Sequence, residues 1–160
     1  MVTIEQIRID ESLLPDEDQR IILLPQNYEF TNNKEDLFFN EEIKTVGKMF
    51  SMNSLDNFLI KINGKEIDNY FAQKSGEIIL PSIFVSSLIL TENPHLVSVA
   101  LGVVSNYATN LLKGIPKRNQ TVKFKIITKN SKTNKISKIE YNGNVEGISE
   151  LAKVLKDLNK

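Results

Sequence analysis

Within Lys113-Gly114-Ile115-Pro116-Lys117-Arg118-Asn119-Gln120-Thr121-Val122-Lys123-Phe124-Lys125-Ile126 the hydrophobic period of the chain switches from helical to strand-like. Upstream, Leu96, Ala100, Val103, Tyr107 and Leu111 form one stripe at helical spacing. Val97, Leu101, Val104, Ala108 and Leu112 form a second, so a helix over 94–113 is apolar nearly all round and must be buried or shared with a partner. Asn93-Pro94 supplies an N-cap acceptor and a first-turn proline, and Lys113-Gly114 a basic last turn and a left-handed cap. Downstream the period is two: Val122, Phe124 and Ile126 point one way, Lys123 and Lys125 the other. Residues 130–134 read as a loop. Ile136, Ile139 and Tyr141 form a returning strand whose one-residue phase slip predicts a bulge in a 121–141 hairpin. Ile148, Leu151, Ala152, Leu155 and Leu158 then mark an amphipathic helix over 146–159.

The preceding residues extend this pattern to the N-terminus. Val2, Ile4, Ile7 and Ile9 suggest a strand, and Asp10 to Arg20, with Pro15, a loop. Ile21-Ile22-Leu23-Leu24, stopped by Pro25, reads as a buried strand. Ile43, Val46, Gly47, Met49 and Phe50 predict a short helix near 40–51, with Glu41 and Glu42 in its first turn. Phe58, Ile60 and Ile62 before Asn63-Gly64 predict a type I′ hairpin returning through Ile67. Ile78 to Leu90 carries no charge, and Pro81 divides it into a strand end and a helix over 82–91. The expected fold is therefore a small single α+β domain. Residues 1–75 are mostly β with one short helix, 78–114 form an apolar helical segment, and antiparallel hairpins surround that central helix pair.

At 160 residues the chain is the length of one compact domain. It has no cysteine, which excludes disulfides, thiolate metal sites and cysteine nucleophiles. Its single histidine, His95, excludes a paired-histidine metal motif. Met1-Val2-Thr3-Ile4-Glu5 has no basic stretch of a secretory signal, and a cytoplasmic bacterial or phage protein is expected. The uncharged run at 78–112 is broken by Glu92-Asn93-Pro94 and then loaded with Asn106, Thr109 and Asn110, so no membrane span is expected.

The formal net charge of zero hides unlike halves. Residues 1–60 carry twelve acidic and five basic side chains, whereas 113–138 carry nine basic ones and no acid. Lys117, Arg118, Lys123, Lys125, Lys129 and Lys132 are candidate nucleic-acid contacts on the outer face and tip of the hairpin. Against that, no aromatic residue interleaves with them for base stacking, and lysine lacks the bidentate fork of arginine. Lysines on a strand also serve simply to keep sheet edges apart.

No constellation with a mechanism behind it stands out. The seven glycines form no phosphate-binding pattern, so no nucleotide cofactor of that kind, and no other cofactor, is expected. His95 with Ser98 or Glu92 is a first-turn histidine as readily as a general base. Glu66 and Asp68, or Asp36 with Glu42-Ile43-Lys44, are the acids a metal-dependent nuclease would use, although the second set falls on a helix. No catalytic or metal-ligating residue is nominated. The excess apolar surface of the 94–113 helix points instead to a protein partner or a homo-oligomer, with Val97, Leu101, Val104 and Ala108 as the candidate contact residues.

Three groups of residues in the C-terminal half carry a diffuse likeness: Val99-Ala100-Leu101-Gly102-Val103-Val104-Ser105-Asn106-Tyr107, Leu111-Leu112-Lys113-Gly114, and Ile139-Glu140-Tyr141-Asn142-Gly143 with Val145-Glu146-Gly147. Together they resemble short uncharacterised bacterial proteins associated with mobile-element and phage-defence gene clusters. The resemblance implies an accessory subunit of a multi-component system and brings no catalytic residues with it.

Overall fold

The computed structural model describes residues 1–9, 20–28, 39–40, 42–59, 69–70, 73–74, 77–130 and 132–159. The elements in chain order are β1 (Val2–Ile7), β2 (Ile21–Leu24), β3 (Phe39–Asn40), α1 (Ile43–Met52), β4 (Asn57–Leu59), β5 (Asn69–Tyr70), β6 (Gln73–Lys74), β7 (Glu77–Ile79), β8 (Ser82–Val85), α2 (Ser87–Glu92), α3 (Pro94–Leu111), β9 (Thr121–Lys129), β10 (Ile136–Gly143) and α4 (Leu151–Leu158). Short 3-10 turns at Lys117–Asn119 and Val145–Glu150 precede β9 and α4. The fold is α+β. Asp16-Glu17-Asp18, Asp36, Glu41, the Asn63-Gly64 turn, Glu66 and Asp68 lie outside the described residues.

One sheet organises the molecule, in the order β1-β10-β9-β8-β2-β4, with β7 beside the start of β9 and β6 beside β7. A separate parallel pair joins β3 and β5. The sheet is mixed, not antiparallel throughout as expected from sequence. β8 and β9 run parallel, as do β2 and β4. Parallel neighbours need a long crossover. Here α2 and α3 carry the chain from β8 to β9, and α1 lies between β2 and β4 in sequence.

The register fixes two faces. Val122, Phe124 and Ile126 of β9 share one with Ile139 and Tyr141 of β10, Ile83 of β8 and Leu23 of β2. The helices cover this face. Asn57, at the head of β4, donates from Nδ2 to Gly47 O (3.2 Å) and Ser51 Oγ (3.1 Å) of α1. A Cβ on Gly47 would stand 3.2 Å from the Leu23 side chain, so the glycine lets α1 sit close to β2. Tyr107 of α3 donates a hydrogen bond to Glu42 at the start of α1. α3 packs in turn against α1, α2, α4 and the 3-10 turn before α4.

The helix expected over 82–91 is a correction. Ser82–Val85 is strand β8, between β9 and β2, and the helix starts only at Ser87. An uncharged run of this kind is ambiguous by period alone. Two local features settle it: Ile83-Phe84-Val85 suits a strand, and Ser86 Oγ accepts from Ile89 N (3.3 Å) as an N-cap. The 78–114 segment is thus two strands followed by two helices. α3 keeps its expected start at Pro94, but the Asn93 side chain makes no capping bond. Gly114, at φ +86°, takes the left-handed conformation its position calls for.

The expected bulge is absent. β9 and β10 pair without interruption from Lys129↔Ile136 to Val122↔Gly143. The phase slip has another cause. Ile136 belongs to the reverse face, where Ile127, Phe84 and Ile22 form a second buried apolar strip across β9, β8 and β2. All four residues of β2 and of β8 are buried, as central strands covered on both faces require.

Candidate interaction surfaces

Val97, Leu101, Val104 and Ala108 are all core residues, none more than 3% exposed. Both apolar stripes of α3 are used inside the domain, because helices and sheet surround it. A folded chain cannot offer these four side chains to a partner, and a charge at Val97 or Val104 would break the fold first. The exposed line of α3 carries His95, Ser98, Val99, Asn106 and Thr109 instead.

The basic segment is divided between faces and ends. Lys123 Nζ lies 2.7 Å from Glu77 Oε1 of β7, and the Glu77 carboxylate, by hydrogen bond and charge, raises the pKa of Lys123 above its ordinary value. Lys138 is buried, 3.2 Å from Glu5 of β1 and 3.7 Å from Glu140. Lys129 is buried too, and both Lys125 and Lys129 have partners. Lys117 approaches Glu146 at 3.9 Å with both side chains exposed, where a pair contributes little. Arg118 and Lys132 are exposed at opposite ends of the nine-residue β9, roughly 30 Å apart at about 3.3 Å per residue. Within the positive run, Lys123 and Lys138 are thus paired with acids of the sheet, whereas Lys113, Lys117, Arg118, Lys132 and Lys135 are exposed.

Two surfaces emerge that the sequence did not single out. The first is the outer edge of β1. Met1 N donates to Asn142 O (2.7 Å) and Asn142 N to Met1 O (3.0 Å), so the odd-numbered residues of β1 bond to β10. The backbone groups of Val2, Ile4 and Gln6 then point away from the sheet. Among the described residues no strand pairs with them. Val2 is 41% and Ile4 48% exposed, beside buried Tyr141 and Ile139. The alternation of Val2 and Ile4 was visible in the sequence; that the strand stands at an edge was not.

The second is a groove of about 380 Å³ between the start of α3 and α4, lined by Leu90, Pro94, His95, Val97, Ser98, Ala152, Lys153 and Lys156. Lys153 and Lys156 stand on one side of α4 at a spacing of three, but only the packing of α4 beside α3 brings them opposite His95. Among the described residues no group of three or more His, Asp or Glu side chains could hold a metal ion, and no helix is long and apolar enough to cross a membrane. No protein-family model, curated protein or solved structure matches this chain.

Beside the edge strand, Tyr141 forms a polar corner. Its hydroxyl donates to Asn144 O (2.7 Å), and Gly147 N donates to Asn144 Oδ1 (3.1 Å). Burial raises the pKa of the phenol above its ordinary value, with the Glu150 and Glu146 carboxylates adding to the effect and the Gly147 backbone hydrogen bond opposing it. A Cβ on Gly147 would collide with the Tyr141 hydroxyl, and one on Gly143 would stand 2.8 Å from it. The two glycines thus let the chain wrap the ring before entering α4.

Proposed function

We propose that this chain is a non-enzymatic interaction subunit that takes up a further β-strand, from a protein partner or a second copy, along the outer edge of β1. The observation that carries the reading is the pairing pattern of β1: the outward backbone groups of Val2, Ile4 and Gln6 are combined with exposed Val2 and Ile4 side chains. Edge strands are ordinarily guarded by lysine, proline or a bulge, and the outward positions of β1 have none of these. Added strands gain affinity from main-chain hydrogen bonds and specificity from alternate side chains, and this edge offers both. The likeness of the C-terminal half to proteins of phage-defence and mobile-element clusters favours a partner from such a multi-component bacterial system.

The test compares wild type with Val2→Lys and Ile4→Lys. Both side chains are already partly in solvent, so the variants should keep the thermal midpoint of the parent. Light scattering across a concentration series, and nuclease-treated capture from the native host with mass spectrometry, read the assembly. A stoichiometric complex, with itself or another chain, that both lysines abolish is the expected result. A complex that survives both, or a chain that stays alone in both assays, removes the proposal. Loss of captured material on nuclease treatment alone would favour a nucleic-acid partner instead.

A further inference from the structure

The groove between α3 and α4 combines apolar and cationic lining residues. Its floor is apolar, built from Leu90, Pro94, Val97 and Ala152. Its rim is cationic or neutral-polar, with Lys153 and Lys156 on α4 facing His95 and Ser98 on α3. No acidic residue lines it. Lys153, Lys156 and His95 form no ion pair among the described residues, in contrast to Lys123 and Lys138 on the sheet. Lys123 and Lys138 show that this fold places acids beside some of its cations. Here it has not.

The geometry points to a binding site for a small organic anion, a carboxylate or phosphate monoester on a compact apolar body. The anionic head sits between the two ammonium groups and the Ser98 hydroxyl, with His95 as a further donor. The apolar body covers Leu90, Pro94 and Ala152. At about 380 Å³ the groove has the size of a small-molecule pocket. The preceding Asn93 side chain makes no cap on α3, so the positive end of this 18-residue helix adds to the field at the same place. Neither half of the recognition suffices alone: an inorganic ion leaves the floor wet, and a neutral apolar molecule leaves the ammonium groups without a counter-charge.

The experiment is a nitrogen-15 NMR titration of the whole chain with phenyl phosphate, run beside inorganic phosphate and benzyl alcohol. Phenyl phosphate is expected to move the amides of His95, Ser98, Lys153 and Lys156 saturably, with half-saturation at about 1 mM, and the other two at least about tenfold more weakly. The double variant K153Q/K156Q, altered only at exposed side chains, should keep the parent spectrum elsewhere and lose about tenfold or more in affinity. No localised, saturable shift with phenyl phosphate would overturn the assignment. An equal response to inorganic phosphate would overturn it as well, reducing the site to surface charge. So would unchanged binding by the double variant.

Discussion

β8 and β1 are short strands that both carry β-branched apolar residues, and the sheet treats them in opposite ways. Ile83, Phe84 and Val85 of β8 are at most 1% exposed, whereas Val2 and Ile4 of β1 stand 41% and 48% in solvent. Both segments carry β-branched residues that suit a pleated surface. The difference lies in neighbours. β8 pairs with β9 on one side and β2 on the other, so both rows of its backbone groups are used. Among the described residues β1 pairs with β10 alone. A hydrophobic strand stabilises the fold in proportion to the water it displaces, and β1 still has water to displace. That contrast is why the edge, and not the longest apolar helix, is the place to look for a partner.

The largest expected effect breaks the centre. Phe84→Ala removes a fully buried ring from β8 and should destabilise the domain by about 3–5 kcal/mol. The matched Ile4→Ala change on β1 should fall within about 0.5 kcal/mol. Denaturant unfolding of both variants measures the difference. Equal losses would mean that β1 is as buried as β8 in solution, through self-association.

A smaller effect sharpens the boundary between the regions. Tyr141 faces Val2 across the register and anchors the chain on its way to α4. Gly147→Ala drives a methyl group into its hydroxyl and should cost about 1–3 kcal/mol. Loss of that size should be accompanied by faster amide exchange in β10 and β1, and little change in β8.

The smallest effect is electrostatic and appears only in alkali. The phenol of Tyr141 has its pKa raised by burial, so it keeps its proton in the fold above pH 10.0, where the unfolded chain releases it. The unfolded state then binds fewer protons, and stability falls as pH rises through the raised value. Lys123, raised by Glu77, acts in the same direction above 10.5. Its side chain is 40% exposed, so its share is under about 1 kcal/mol. Tyr141→Phe should therefore flatten the stability profile above pH 10.0 and leave it parallel to wild type near neutrality. An unchanged alkaline slope would remove Tyr141 from that role.

Much of the fold was legible where period and punctuation agree. Ile21–Leu24 is the buried strand its four apolar residues announce, α3 begins at Pro94, and Gly114 takes the positive φ a C-terminal cap needs. The alternation of Val122, Phe124 and Ile126 with lysines appears as an inward and an outward row. Where the signal was an uncharged run, as at 82–85, period alone could not separate strand from helix. Ile136 misled for a related reason: a phase slip looks like a bulge when only one face of a sheet is taken to be buried. The contact residues proposed on α3 failed because surplus apolar surface on one helix says nothing about how many neighbours will cover it.

By itself the sequence determined the class of element along most of the described chain, the absence of cysteine chemistry, and the opposed charges of its two halves. These are local or compositional properties, set by side-chain spacing and by counting. Tertiary structure decided which strands stand at the centre and which at the edge. It set Lys123 and Lys138 of the basic run in ion pairs with Glu77, Glu5 and Glu140, and it brought Lys153 and Lys156 to His95 across two helices. Each of those outcomes depends on residues far apart in the chain meeting in space. Burial and charge pairing are properties of that meeting, and no window along the sequence contains them.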